Sequence, residues 1–289
     1  MSRIRVVRRA FLWGAGAALT RAVTSALTAG PPGGAGRWAR VNHRGEPVTL
    51  LEGPSVALGV AAGTALAPGL PPRLRAATVL AALGAGAFGV LDDLTERGSS
   101  KGLRGHLGAL ARGEVTTGGV KIAGIGATGL LAAALARPAG PARPAGGGRL
   151  CRAVDVIAAG ALVAGSANLL NLFDLRPGRA LKVSLLAAPA ALAAGPSGAV
   201  VAVAAGSATA VLGDDLGERS MLGDGGANAL GAVLGTALVA GARPRTRWAA
   251  LAAVVALTLA SEKISFTKVI AATPGLREFD ALGRRPATR

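Results

Sequence analysis

Apolar runs of about 17 to 20 residues recur near 54–70, 75–91, 118–136, 153–173, 179–195, 197–213, 225–242 and 247–265. Each is bounded by Pro, Gly or Arg, and each has the length a helix requires to cross the hydrocarbon core of a bilayer. A further run over 10–30 is interrupted by Arg21. A charge at mid-bilayer costs about 2.5–3.5 kcal/mol on insertion scales, so this segment reads as a ninth span or as a helix lying at the interface. The basic start MSRIRVVRR also fits a cleaved leader, but no clean small-residue cleavage site follows it. The pattern predicts an all-α fold: a single polytopic membrane helical bundle over 1–289, with about 8–10 transmembrane helices. Residues 262–289 form its polar tail.

The polar positions are distributed unevenly. If the eight clear runs cross a membrane, one side collects the connections 31–53, 92–117, 174–178 and 214–224 together with the tail 262–289. Fourteen of the fifteen acidic residues lie on or beside that side, and only Asp155 falls on the other. All five lysines accompany them, whereas opposite loops such as ARPAGPARPAGGGR (136–149) are low in complexity and read as connectors. Chemistry is therefore expected at the acidic side. After residue 30 that side carries 18 Lys and Arg against 9, which makes it cytoplasmic by the positive-inside rule. If 10–30 spans, four N-terminal arginines join the sparser side; if it lies on the surface, Arg3, Arg5, Arg8, Arg9 and Arg21 join the acidic one.

Composition agrees with a membrane protein: the 289 residues are 51% hydrophobic and 16% charged, with mean hydropathy +0.48. The 44 glycines and scarcity of large side chains suit helices packed closely in lipid. The single Cys151 excludes a disulfide framework. A net charge of +17 could attract nucleic acid, but the arginines lie between apolar runs and no aromatic-basic motif appears, so no nucleic-acid partner is expected.

Three polar constellations lie at the acidic side. In GVLDDLTERGSSKGLRGHLGALARGEVTTGGVKI (89–122), Asp92 and Asp93 end a span, and adjacent carboxylates at a membrane surface can hold a divalent cation or act as a base. The bland reading of such a pair is a solvated helix end. His43 and His106 occupy loops and are not spaced as a metal pair, though either could contact a phosphate when protonated. In SANLLNLFDLRPG (166–178), Asn168, Asn171 and Asp174 are three apart, hence on one helical face. Amides alone would serve as interhelical glue, but an acid at the water boundary points to a site. In VLGDDLGERSMLGDGGANALGA (211–232), Asp224 stands in a GDGG turn where a helix begins, which offers N–H groups and a positive helix end to a phosphate. A plain glycine turn between helices explains GDGG alone equally well. The tail reads as a short amphipathic surface helix, with Ile264, Val269 and Ile270 among Lys263 and Lys268.

Taken in chain order, these residues resemble the polyprenyl-phosphate N-acetylhexosamine-1-phosphate transferases, the family that includes phospho-N-acetylmuramoyl-pentapeptide transferase. NHRGEP (42–47) is similar to the family's first cytoplasmic loop and Asp92-Asp93 to its paired aspartates. Asn168, Asn171 and Asp174 match its N-x-x-N-x-x-D motif, and Gly223, Asp224 and Gly225 its G-D-x-G motif, so the likeness covers about residues 35–240. The resemblance implies an enzyme with cytoplasmic catalytic loops and a Mg²⁺ cofactor. It would join the sugar phosphate of a UDP-activated amino sugar to a polyprenyl phosphate and release UMP, in bacterial envelope glycan synthesis. It further implies that Asn171 and Asp224 hold Mg²⁺, that Asp92 and Asp93 serve the lipid phosphate or its deprotonation, and that Asp174 positions the nucleotide diphosphate. Lys101 or Lys121 would neutralise phosphate charge, with Asn42, His106 and Asn168 in supporting substrate contacts. A homodimer is left open. Hard oxygen donors suit Mg²⁺, and the lack of a Cys/His cluster argues against zinc.

The chain departs from the family where LRPGRALK follows Asp174 in place of a glycine and a second Asp-Gly, and where SEKISFTKV and GRRP replace a His-rich loop. A degenerate homologue that binds a lipid-linked intermediate or a partner enzyme is the alternative. A transporter is a third reading, and it expects acids at mid-membrane.

Overall fold

A computed structural model describes residues 3–95, 116–136, 148–192 and 196–286. The chain is mostly helical. Helix α1 (Arg3–Ala29) and the short α2 (Ala35–Trp38) precede a hairpin of β1 (Ala39–Val41) and β2 (Pro47–Thr49). Then follow α3 (Glu52–Ala65), α4 (Pro72–Thr95), α5 (Thr117–Ala136), α6 (Gly148–Phe173), α7 (Arg179–Leu192), α8 (Ser197–Leu216), α9 (Gly223–Gly241) and α10 (Pro244–Ser261). The short α11 (Phe266–Ala272) and α12 (Leu276–Ala281) complete the order.

Each apolar run coincides with one of α3 to α10, but the runs are not equal in length. Four helices, within α4, α5, α6 and α8, are long and apolar enough to cross a bilayer; α10 and α11, bent by 93° at their break, make a fifth if counted together. Helix α3 has 14 residues, about 21 Å at 1.5 Å per residue, short of a hydrocarbon core of about 30 Å. It stops at Ala65 because a Pro68-Gly69 turn and Pro71 follow.

Small residues decide the packing. Helices α8 and α9 are buried along nearly their whole length and consist largely of Ala, Val and Gly. A Cβ on Gly206 of α8 would stand 2.0 Å from the Trp13 carbonyl oxygen of α1, and one on Gly231 of α9 would stand 2.4 Å from that of Ser166 in α6. Backbones approach this closely only where the side chain is hydrogen. The outer helix faces keep large apolar groups exposed, among them Leu83, Ile122, Leu131, Val154 and Ile157. An apolar helix exposed on one face suits a lipid surround.

Helix α1 runs antiparallel to α3 along its length. Thr20 lies against Gly59 and Gly16 near Gly63, and the Arg8 guanidinium donates to the Pro68 carbonyl at 2.6 Å. Helix α1 thus packs as a member of the bundle. Arg21 is exposed while Leu12, Gly16 and Thr20 are buried, so the charge turns away from the packed face.

The hairpin, like the short α2 before it, is not announced by the hydrophobic pattern. Its strands pair antiparallel, with Ala39 opposite Thr49 and Val41 opposite Pro47. Asn42 to Glu46 make the turn, helped by Gly45 at φ 82°. Three-residue strands are too short for alternation to register.

Candidate active site

The polar motifs converge at one end of the bundle. Asp92 and Asp93 come from the last turn of α4, Lys121 from the first turns of α5, Asp174 from the turn after α6, Asp215 from the end of α8 and Asp224 from the first turn of α9. Close approach of α4 and α9 brings the first and last together: a Cβ on Gly89 would stand 2.3 Å from the Asp224 carbonyl oxygen.

A helix leaves its first N–H groups without intrahelical partners and carries positive potential there. In α9 those donors face protein carboxylates. Asp224 N–H and Gly225 N–H donate to Asp93 at 3.1 and 3.0 Å. Gly223 N–H faces Asp174, and Leu222 N–H faces Asp215, which also accepts from Gly178 N–H at 2.7 Å. The turn at Gly223, with φ 61°, turns these groups outward. The phosphate cradle expected of GDGG is thus occupied by Asp93, Asp174 and Asp215, and the anion that α9 stabilises is the protein's own.

Adjacent aspartates consequently do different things, since neighbours on a helix point about 100° apart. Asp93 fastens the start of α9. Asp92, buried, accepts from Lys121 Nζ at 2.8 Å, and the same ammonium contacts Asp224 more closely still. Lys121 is the cation shared by the two acids. Burial pushes the Asp174 carboxyl well above the usual carboxylate range, and the charges of Asp215, Asp224 and Asp93 push the same way.

Among the described residues no three His, Cys, Asp or Glu side chains group as a metal cage. Mg²⁺ keeps several waters and needs only one or two carboxylates. The oxygen set of Asp92 and Asp224, already arranged about a positive charge, fits it. Asn168 is exposed and Asn171 half-buried on α6. Along α6 they follow Gly160 and Ala164, the stripe on which that helix meets Gly129 of α5. Lys101 and His106 lie outside the described residues.

Beside this cluster a cavity of about 220 Å³ opens between the hairpin, the 174–178 turn and the 218–222 segment, with Asn42, His43, Asp174 and Arg176 on its walls. Asn42 Nδ2 donates to Glu218 at 2.8 Å and Arg44 Nε to the same carboxylate at 2.8 Å. Glu218 holds a left-handed φ of 55°, a conformation that costs of order 1 kcal/mol or more in a residue with a Cβ. The hydrogen bonds from buried Asn42 and half-buried Arg44 keep it there. Ser220 donates to Glu52, which is 2% exposed, and pairs with Thr49 of the hairpin.

The polar tail strengthens the far wall. Arg179 grips Asp280 with two nitrogens at 2.8 and 3.0 Å, Arg284 reaches the same carboxylate at 2.7 Å and the Pro177 carbonyl at 2.8 Å, and Lys182 donates to the carbonyls of Phe279 and Asp280. Arg285 continues to Glu46 at 3.0 Å on the hairpin turn, whose Arg44 donates to the Pro286 carbonyl at 2.8 Å. Burial pushes Asp280 upward, but the hydrogen bonds and charges of Arg179 and Arg284 outweigh it and hold the carboxyl below its usual range.

Sequence reasoning missed Glu52, Arg44, Glu218, Arg179, Asp280 and Arg284. The signal for the last pair was their i,i+4 spacing within FDALGR, hidden by reading the tail as a membrane-surface helix. Neither a scan against protein-family models nor a comparison with curated proteins returns a match. The family resemblance therefore rests on the motif residues.

Proposed function

We propose that this chain is a Mg²⁺-dependent integral-membrane transferase that moves a sugar 1-phosphate from a UDP-sugar to a polyprenyl phosphate and releases UMP. Its site faces the cytoplasm, its long apolar helices cross the cell membrane, and its product enters envelope glycan synthesis. The observation that carries this reading is the meeting of Asp92, Asp93, Lys121, Asp174 and Asp224 from separate segments at one bundle end. The four aspartates are motif residues of the resemblance, and a lipid-linked acceptor explains why such a site belongs at a bilayer edge.

In this chemistry an oxygen of the lipid phosphate attacks the sugar-bearing phosphorus of the donor. The bond from that phosphorus to the bridging oxygen breaks, and its electron pair leaves with UMP. Charge spreads over oxygens, so catalysis is chiefly positioning and cationic stabilisation. Asp92 and Asp224 would hold Mg²⁺, with Asn171 as the further ligand that the resemblance implies, and the ion would supply Lewis-acid stabilisation of phosphate charge. Lys121 offers a second cation to the departing phosphate. Asp93 keeps Asp224 in place by fixing the α9 backbone, and Asp174 stands between the cavity and the reaction centre.

Acids at one end of the bundle disfavour an ion-coupled transporter. The LRPG segment favours the degenerate-homologue reading as runner-up, which predicts binding without turnover. The test is the purified chain in lipid nanodiscs with radiolabelled UDP-GlcNAc or UDP-MurNAc-pentapeptide, undecaprenyl or decaprenyl phosphate, and Mg²⁺. Label should become lipid-soluble with one donor; donors that bind and never transfer would leave the runner-up.

A further inference from the structure

The cavity wall made by residues 174–182 holds more positive charge than its neighbours balance. Arg176, Arg179, Lys182 and Arg284 lie within electrostatic reach of one another and of two carboxylates, Asp280 and Asp215. With Asp174 in the same wall, four cations stand against three acids, an excess of one. Three of the four have acceptors: Arg179 and Arg284 share Asp280, and Lys182 takes two carbonyls. Arg176 lines the cavity beside Asp174, and among the described residues its guanidinium has no acceptor.

Its backbone is fixed nevertheless. The Arg176 carbonyl accepts from Arg179 N–H at 3.2 Å, Pro177 restricts the next φ, and Gly178 N–H is tied to Asp215 at 2.7 Å. A forked five-donor cation on a rigid turn, facing a cavity, with like charge behind it, is a receptor for a multiply charged oxyanion. We propose that Arg176 binds a phosphate group of the substrate in this cavity, with Arg284 supporting it electrostatically. Which substrate bears that phosphate rests on the transferase reading: the donor diphosphate or the carrier phosphate. The anion site itself does not.

The experiment titrates UDP, uridine and farnesyl phosphate into the full chain in nanodiscs, for wild type, Arg176→Ala, Arg176→Lys and Arg277→Ala. The last changes an exposed arginine outside the cavity wall, paired with Glu278. Loss of a charge-assisted contact weakens binding by about 10- to 100-fold. Arg176→Ala should weaken UDP or farnesyl phosphate by that amount and leave uridine unchanged, with partial recovery in Arg176→Lys and none of this in Arg277→Ala. A loss confined to UDP assigns the donor, and one confined to farnesyl phosphate assigns the carrier. Wild-type affinity for both in Arg176→Ala, or an equal loss for uridine, overturns the proposal. Arg176-dependent UDP binding without transfer from any donor would refute the transferase reading and leave this one standing; transfer with unaltered KM and kcat in Arg176→Ala would do the reverse.

Discussion

Gly89→Ala adds one methyl group at the contact that sets the candidate site. The new Cβ would lie 2.3 Å from the Asp224 carbonyl oxygen, 2.5 Å from its carbonyl carbon and 2.7 Å from Gly225 N, where ordinary contact begins at 3.4 Å. All three atoms are backbone, so no rotamer change relieves the clash. Helices α4 and α9 must separate locally by about 1 Å. Overpacking of this kind costs about 1–3 kcal/mol, against which the better helix propensity of Ala returns up to about 1 kcal/mol. The net is a loss of roughly 1–2 kcal/mol. The larger effect is on chemistry, because a 1 Å misplacement of a catalytic group can cost about 100-fold in rate. Gly126→Ala in α5 is the control, since its Cβ would have nothing within 4 Å. Thermal unfolding and lipid-linked product formation, measured in one detergent, should separate the two: Gly126→Ala at or above wild type, Gly89→Ala lower in Tm and strongly reduced in rate. Equal Tm and equal rate for the two variants would refute the close-approach argument.

Other expectations follow from the same contacts. Asp93→Asn keeps one acceptor oxygen for two N–H donors and removes the charge at the start of α9, so it should destabilise the chain by about 1.5–3 kcal/mol, read as a lowered Tm; an unchanged Tm would show that Asp93 does not cap the helix. Acid should release the tail. Asp280 is held below the usual carboxylate range by Arg179 and Arg284 despite burial, and Glu46 by its hydrogen bonds to Arg285 and Asn42. Groups with depressed folded values contribute stability above their unfolded values, near 4, and lose it as pH falls through the folded ones. Hydrogen exchange in 276–286 should be steady from pH 7 to about 5, once corrected for intrinsic rates, and faster below about pH 4; protection unchanged at pH 3 would contradict this. Arg44→Ala removes the guanidinium from buried Glu218 and leaves it Asn42 and the more distant His43, and weaker nucleotide binding should accompany faster exchange in 217–222.

The chain's helices were legible because each is a long apolar run, and the acidic end was legible because nearly all acids fall in loops of one parity. The pairing of those acids was not. Asp92 and Asp93 read as one unit in the sequence, yet the helix turns one to Lys121 and the other to α9. GDGG reads as an open anion cradle because nothing local shows that Asp93, 131 residues before Asp224, and Asp174, 50 before it, will join the nearby Asp215 in filling it. Arg176 and Arg284 come within electrostatic reach only because the tail folds back, across 108 residues of sequence. Motif spacing reports what one helix can present, and says nothing of which distant group arrives to meet it.

The most direct measurement is Mg²⁺-dependent UMP release coupled to lipid-linked sugar, compared between wild type and Asp224→Asn. That variant keeps the size and backbone of α9 while removing the carboxylate that contacts Lys121. The account predicts stoichiometric UMP and lipid-linked product from wild type, abolished by chelation, and a loss of at least about 100-fold in Asp224→Asn with Tm near wild type. Product formation that persists undiminished in Asp224→Asn would contradict it.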